Sequence, residues 1–190
     1  MNASEVIMME KKIKGKAYVC GRDDVDTDMI IPAKYLNTHD PKELAQHAME
    51  FIDPRFPEKA KKMGIRIVVG GKNFGCGSSR EHAVWCLAGN GIRAVIADSF
   101  ARIFFRNCVN YGLLPVACQG AGRKIRTGDE IEIDASSGKI RNLTRKEEYA
   151  ARPLPGFAVD ILNAGGLLRY VKKTLDAAGA ADGRKEARRK

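Results

Sequence analysis

The sequence predicts an α/β fold built from βαβ units and finished by a β-hairpin. Two patterns carry that reading. Ile65-Arg66-Ile67-Val68-Val69 and Ala94-Val95-Ile96-Ala97 are short apolar runs suited to buried strands, separated by a glycine-rich loop and the apolar run Ala83–Ala88. Strand, helix and strand within about 35 residues make a right-handed βαβ unit. Further on, Ile131-Glu132-Ile133-Asp134 and Ile140-Arg141-Asn142-Leu143 alternate apolar with polar residues. The turns Thr127-Gly128-Asp129 and Ser136-Ser137-Gly138-Lys139 flank them, which predicts a hairpin.

The chain has 190 residues, of which 44% are hydrophobic. That length supports one domain with a proper core. We expect it over residues 13–171, between an N-terminal extension (1–12) and a basic, poorly ordered tail (172–190). No apolar run approaches the roughly 20 residues that span a bilayer. The first residues lack the continuous apolar stretch of a secretory signal, so the expected location is the cytoplasm.

In chain order, Ile13–Cys20 reads as the first strand. It enters Gly21-Arg22-Asp23-Asp24-Val25-Asp26-Thr27-Asp28, a turn dense in carboxylates. A calcium loop fails on spacing, because Met29 stands where glycine is required and Tyr35 where the closing glutamate belongs. These aspartates are expected to bond their own backbone in turns. Met29-Ile30-Ile31-Pro32 follows. Asp40 with Glu43 and Pro41 then predict a capped helix start, with the helix running to about Phe51. His39 and His47 have no partner at metal-ligand spacing and read as surface or capping residues. Glu58–Met63 is a short basic helix before the strand at Ile65.

Beyond the βαβ unit, Ser99–Tyr111 has apolar residues at helical spacing and stops at Gly112. Leu113–Ala117 is a third strand. After the hairpin, an amphipathic helix over about Val159–Leu175 closes the fold. There is no internal repeat.

Most of the chemistry lies in Gly70-Gly71-Lys72-Asn73-Phe74-Gly75-Cys76-Gly77-Ser78-Ser79-Arg80-Glu81-His82. Glycines there let another group approach the main chain closely, and Ser78 or Ser79 is suited to cap the following helix. A helix start with free N–H groups favours an anion. Gly75-x-Gly77-x-x-Arg80 lacks the third glycine of a dinucleotide loop, and the Gly-Lys-Ser/Thr of a P-loop is absent. The Gly-x-Ser-x-Gly of a hydrolase elbow is missing too. A carboxylated substrate gripped by Arg80, with a serine pointing into the site, fits better. The residues themselves support anion binding and leave serine-based catalysis open.

Five cysteines stand at 20, 76, 86, 108 and 118, none in a Cys-x-x-Cys pair. Neither a disulfide framework nor a self-contained zinc or iron–sulfur site is suggested. Cys86, Cys108 and Cys118 read as small core residues. Cys76, in a loop at a helix start, is the one whose thiol pKa could be lowered. The net charge of +10 admits a nucleic-acid-binding module as a reading of a different class. Seven basic and three acidic residues from Lys172 onward hold +4 of it, and no aromatics interleave with the basic residues as in an RNA-binding sheet.

Gly75-Cys76-Gly77-Ser78-Ser79-Arg80-Glu81-His82-Ala83, then Ser99-Phe100-Ala101-Arg102-Ile103 and Gly112-Leu113-Leu114-Pro115, resembles the swivel domain of the aconitase superfamily. With Asp26-Thr27-Asp28 and Ile30-Ile31-Pro32-Ala33-Lys34-Tyr35-Leu36 upstream, the chain is similar to the separately encoded small subunits of the 3-isopropylmalate dehydratases. The resemblance covers about Ile13 to Leu168. It implies a three-layer swivelling β/β/α fold and a hydro-lyase that isomerises 2- and 3-isopropylmalate through isopropylmaleate in leucine biosynthesis. It also implies that Ser78 is the base, Arg80 grips a substrate carboxylate, Ser79 adds a hydrogen bond and Asp28 orients a histidine of the partner. No cofactor would be bound by this chain. A [4Fe-4S] cluster would sit on a large subunit, in a heterodimer or heterotetramer. Homoaconitase small subunits are expected to carry arginine after Tyr-Leu; here Asn37 and Thr38 follow, as substrate-binding candidates. Without arginine a third carboxylate would go unpaired, which favours a dicarboxylate. Homoaconitase, dimethylmalate dehydratase and methylmalate (citraconate) dehydratase are the related alternatives.

Overall fold

Three β-branched or apolar runs pair side by side because both of their faces are apolar and need cover. In the computed structural model, which describes residues 12–187 with side chains to 177, β1 (Lys12–Val19), β2 (Ile65–Val69), β3 (Ala94–Ala97) and β4 (Leu114–Ala117) are parallel neighbours. On the other side of β1, β5 (Glu130–Asp134), β6 (Lys139–Asn142) and β7 (Glu147–Ala150) continue antiparallel. The order is β4-β3-β2-β1-β5-β6-β7. The sheet curls on itself: the Arg152 amide, just past β7, donates to the Ala117 carbonyl of β4 at 2.9 Å. Two halves of one sheet thus face each other, with helices forming the third layer. This is the predicted β/β/α arrangement.

Alternation along the strands sorts the core into two. Val68 and Val95 face Ile30, Leu44, Phe74, Val84, Leu87 and Phe104. Ile67, Val69 and Ile96 face the opposite way, onto Ile131, Ile133, Ile140 and Leu162 inside the curl. Sheets buried on both faces are built from such near-continuous apolar strands.

The first face carries α1 (Thr27–Ile30), α2 (Pro41–Ala45), α3 (Phe56–Met63) and α4 (His82–Gly89); α5 (Arg102–Tyr111) follows β3 and the short α6 (Ala121–Lys124) follows β4. The hairpin stands at β5 and β6 as predicted, and β7 extends it into a meander that the polar run Glu147–Ala150 did not announce. The helix expected to reach Phe51 ends at Ala45 and gives way to turns through Ile52, with Met49 at φ 60°. Asp26–Asp28 is more than a turn: the Asp26 carboxylate accepts the Met29 N–H at 2.7 Å and caps α1.

The single closing helix is two, α7 (Gly156–Asn163) and α8 (Leu167–Ala187), broken at Gly165-Gly166. A Cβ on Gly166 would stand 2.7 Å from the Asn110 carbonyl oxygen, so the break is where the chain presses against the end of α5. The backbone of the basic segment continues as α8 to Ala187, where a poorly ordered extension was expected. Of the expected N-terminal extension, Lys12 already belongs to β1 and the rest lies outside the described residues, as do 188–190.

Candidate active site

The glycine-rich loop is strapped between two neighbouring segments by its backbone. The Gly71 N–H donates to the Arg22 carbonyl at 3.1 Å and the Gly75 N–H to that of Val25 at 2.7 Å. On the other side, the Phe74 N–H reaches Ser99 at 2.9 Å. Asp23 accepts the Lys72 N–H at 2.7 Å and Asp24 the Asn73 side-chain amide at 2.8 Å. These two aspartates therefore brace the loop across the chain, where local turns were expected. Gly75 has φ +78°, and a Cβ there would sit 2.1 Å from Phe104, so the loop lies flat on α5 only because that side chain is missing.

Past Gly77 the loop turns onto α1. Thr27, only 1% exposed, is held by its N–H to the Cys76 carbonyl at 2.9 Å. Its Oγ1 accepts the Ser78 N–H at 3.2 Å and lies 3.2 Å from Ser78 Oγ. Ser78 itself is exposed. One helical position on, the Asp28 carboxylate accepts a guanidinium N–H of Arg80 at 2.5 Å. Arg80 is three-quarters covered and Asp28 half exposed, so a second Asp28 oxygen and the remaining Arg80 donors stay available. The Ser79 carbonyl takes the Asn107 amide of α5 at 3.3 Å.

Neither serine caps α4. Glu81 holds the cap position with no side-chain bond, so the first-turn N–H groups of α4 have no side-chain acceptor. Ser78 is spent on Thr27 instead. The fold thus brings Ser78, Ser79, Arg80 and Asp28 to one place. Asn37 and Thr38 sit in a separate loop before α2. The Thr38 hydroxyl donates to Glu43 at 2.6 Å and Asn37 is exposed. In the same loop the His39 ring centroid lies 5.3 Å from that of His82 in the first turn of α4. Thr27 is the participant that sequence reasoning passed over. Its signal was its place between two aspartates, where a small hydroxyl can be buried while both carboxylates point outward.

Cys76 does not have the activated thiol that its position suggested. Burial, then Asp26 and Asp24, push its pKa up. Cys86, Cys108 and Cys118 are buried core thiols, raised by desolvation. Among the described residues no three His, Cys, Asp or Glu side chains gather into a metal-holding group. A groove of about 960 Å³ between α5 and α7 contains none of the predicted site residues.

Comparison with known proteins decides what this constellation belongs to. Residues 7–121 match the aconitase C-terminal domain. The chain belongs to the aconitase C-terminal domain family. It is 52% identical over 164 residues to the 3-isopropylmalate dehydratase small subunit of Thermodesulfovibrio yellowstonii, covering 86% of this chain and 96% of that protein. It is 51% identical over 167 residues to the isopropylmalate/citramalate isomerase small subunit of Methanocaldococcus jannaschii, covering 88% and 98%. The crystal structure of a 3-isopropylmalate dehydratase from M. jannaschii superposes with a TM-score of 0.82 at 45% identity, over 90% of this chain and 99% of that one. Similarity therefore runs beyond the matched residues 7–121, over most of this chain and nearly all of each of these relatives.

Proposed function

We propose that this chain is the substrate-gripping half of a 3-isopropylmalate dehydratase, a hydro-lyase of leucine biosynthesis that isomerises 2- and 3-isopropylmalate and works with a large subunit. The observation that carries the residue-level reading is the pairing of Ser78 with Thr27 beside Arg80 with Asp28.

Dehydration removes a proton next to a carboxylate and a hydroxyl from the neighbouring carbon; rehydration with the positions exchanged gives the isomer. A serine takes up a proton well only when its alkoxide is stabilised. The Thr27 oxygen already accepts the Ser78 N–H, and its own hydrogen is free to point at Ser78 Oγ, 3.2 Å away. That donor stabilises the alkoxide that takes up the proton, and does so again when the serine returns the proton in rehydration. Arg80, with one arm fixed by Asp28, offers its remaining donors as a fork to the carboxylate and draws charge off the carbon that loses its proton. Ser79 adds a hydrogen bond. Asp28 has a free oxygen to orient a histidine of the partner while it holds Arg80.

A [4Fe-4S] cluster on the large subunit would supply Lewis-acid chemistry toward the departing hydroxyl. None of this chain's described residues forms a set to hold such a cluster. The pair of subunits works in the cytoplasm; no helix among the described residues is long and apolar enough to cross a membrane.

Asn37 in place of arginine favours a dicarboxylate over a tricarboxylate. The relative named for both isopropylmalate and citramalate supports a second reading within this chemistry, in which the smaller methyl-substituted dicarboxylate is also accepted. The test is turnover of 2-isopropylmalate, citramalate and homocitrate by the chain assembled with its large subunit. The two dicarboxylates should react and homocitrate should be poorest. Homocitrate as best substrate would overturn the Asn37 argument.

A further inference from the structure

The loop that carries Asn37 and Thr38 is exposed, yet it is held along α4 from both ends. At its far end α2 lies against the C-terminal half of α4, where Gly89 presents no side chain. A Cβ there would stand 2.2 Å from the Pro41 carbonyl oxygen and 3.0 Å from Ala45. The Asn90 side chain adds a bond to the Ala45 carbonyl at 2.8 Å.

From Pro41 the chain runs back toward the first turn of α4. There the His39 ring meets two others at tilted angles, with centroids 5.3 Å from His82 and 5.8 Å from Trp85; His82 and Trp85 are 4.7 Å apart. His82 is two residues from Arg80. Its Nε2 is buried with no hydrogen-bond partner, so this ring serves as a packing surface. Burial, with His39 on the loop and Arg80 on its own turn, favours its neutral form against the opposing pull of Glu81.

We infer that His39 is a positioning residue: its ring, seated on His82 and Trp85, fixes the Asn37–Thr38 loop over the start of α4 and thereby limits the size of the group accepted beside Arg80. The inference rests on Arg80 as the carboxylate grip. Among the described residues the side-chain hydrogen bonds of the loop are local: Thr38 to Glu43, the Asp40 N–H back to the Thr38 hydroxyl at 3.2 Å, and the Lys42 N–H to the Asp40 carboxylate at 2.9 Å. These shape the turn without fixing it to α4. Ring contacts of this kind contribute enough to shift a loop equilibrium several-fold.

Two readouts on His39→Ala and His39→Phe separate the tether from the function. Hydrogen exchange is followed at the Asp40 and Lys42 amides, which are held by Thr38 Oγ1 and Asp40 Oδ1. In His39→Ala it should accelerate about fivefold and in His39→Phe, which keeps a ring, stay near wild type. Unchanged exchange in His39→Ala overturns the tether whatever the substrate is. In the enzyme assembled with its large subunit, His39→Ala should raise KM for 2-isopropylmalate about fivefold with kcat little changed, narrow its preference over citramalate, and be rescued by phenylalanine. Faster exchange with unaltered KM values overturns the selective role. If the wild-type enzyme turns over neither substrate, the functional reading fails while the exchange result still decides the tether.

Discussion

Ser78 and Thr27 form the smallest unit of the proposed chemistry. Thr27 is fully covered, so Thr27→Val keeps its shape and removes only the hydroxyl that faces Ser78. Kinetics of the assembled enzyme should show kcat falling about 100-fold, the scale for losing one donor to a developing anion, and Thr27→Ser should restore most of it. Arg80→Lys should instead act on binding. A point charge cannot hold Asp28 and fork onto a carboxylate together, so KM should rise about tenfold or more. His82 supplies a pH dependence that urea denaturation can read. Its folded-state pKa is lowered from the ordinary 6.5, chiefly by burial, so the unfolded chain binds the proton more readily. The packing of the neutral ring contributes fully above about pH 6.5 and is lost as pH falls through that value toward the folded pKa. His82→Gln should flatten the dependence between pH 7.5 and 5.5. Ser78 and Arg80 were legible in the sequence because they sit in one unbroken motif. Thr27 was not, because its role arises from a contact across 51 residues.

The decisive elements are the loop after β2 and the two helices it is pressed between. Gly75 is the point of closest approach, and Gly75→Ala must both adopt a positive φ and displace Phe104. It should cost about 3 kcal/mol in urea denaturation, combining left-handed strain with overpacking. The βαβ unit and the hairpin could be read from periodicity, since apolar runs of five and four residues bounded by turns leave little else to form. Element ends were less legible. The helix from Pro41 stops early because Met49 takes a positive φ, with its N–H bonded to the Ile30 carbonyl at 2.8 Å, a tertiary bond that no local pattern signals. The break between α7 and α8 likewise belongs to the packing of Gly166 on α5. The serines were misassigned as caps because cap preference is local, whereas Thr27 competes for Ser78 from another part of the chain.

At the scale of the molecule, the curl of the sheet buries its second face against itself and leaves the helical side to carry the site. Ser78, Ser79 and Asn37 are exposed there, and the proposed base and carboxylate grip stand just before α4. An open constellation of this kind is half a site. In the proposed function it is completed by the large subunit. The resemblance of the motifs announced that partnership from sequence, while the closing of β7 back toward β4 became visible only in three dimensions. The role proposed for Ser78 is read most directly from turnover of 2-isopropylmalate by the chain assembled with its large subunit, compared with the same assembly carrying Ser78→Ala. Ser78→Ala should assemble normally and lose about 1,000-fold in kcat, as for removal of a general base. Wild-type turnover in that variant would contradict that role.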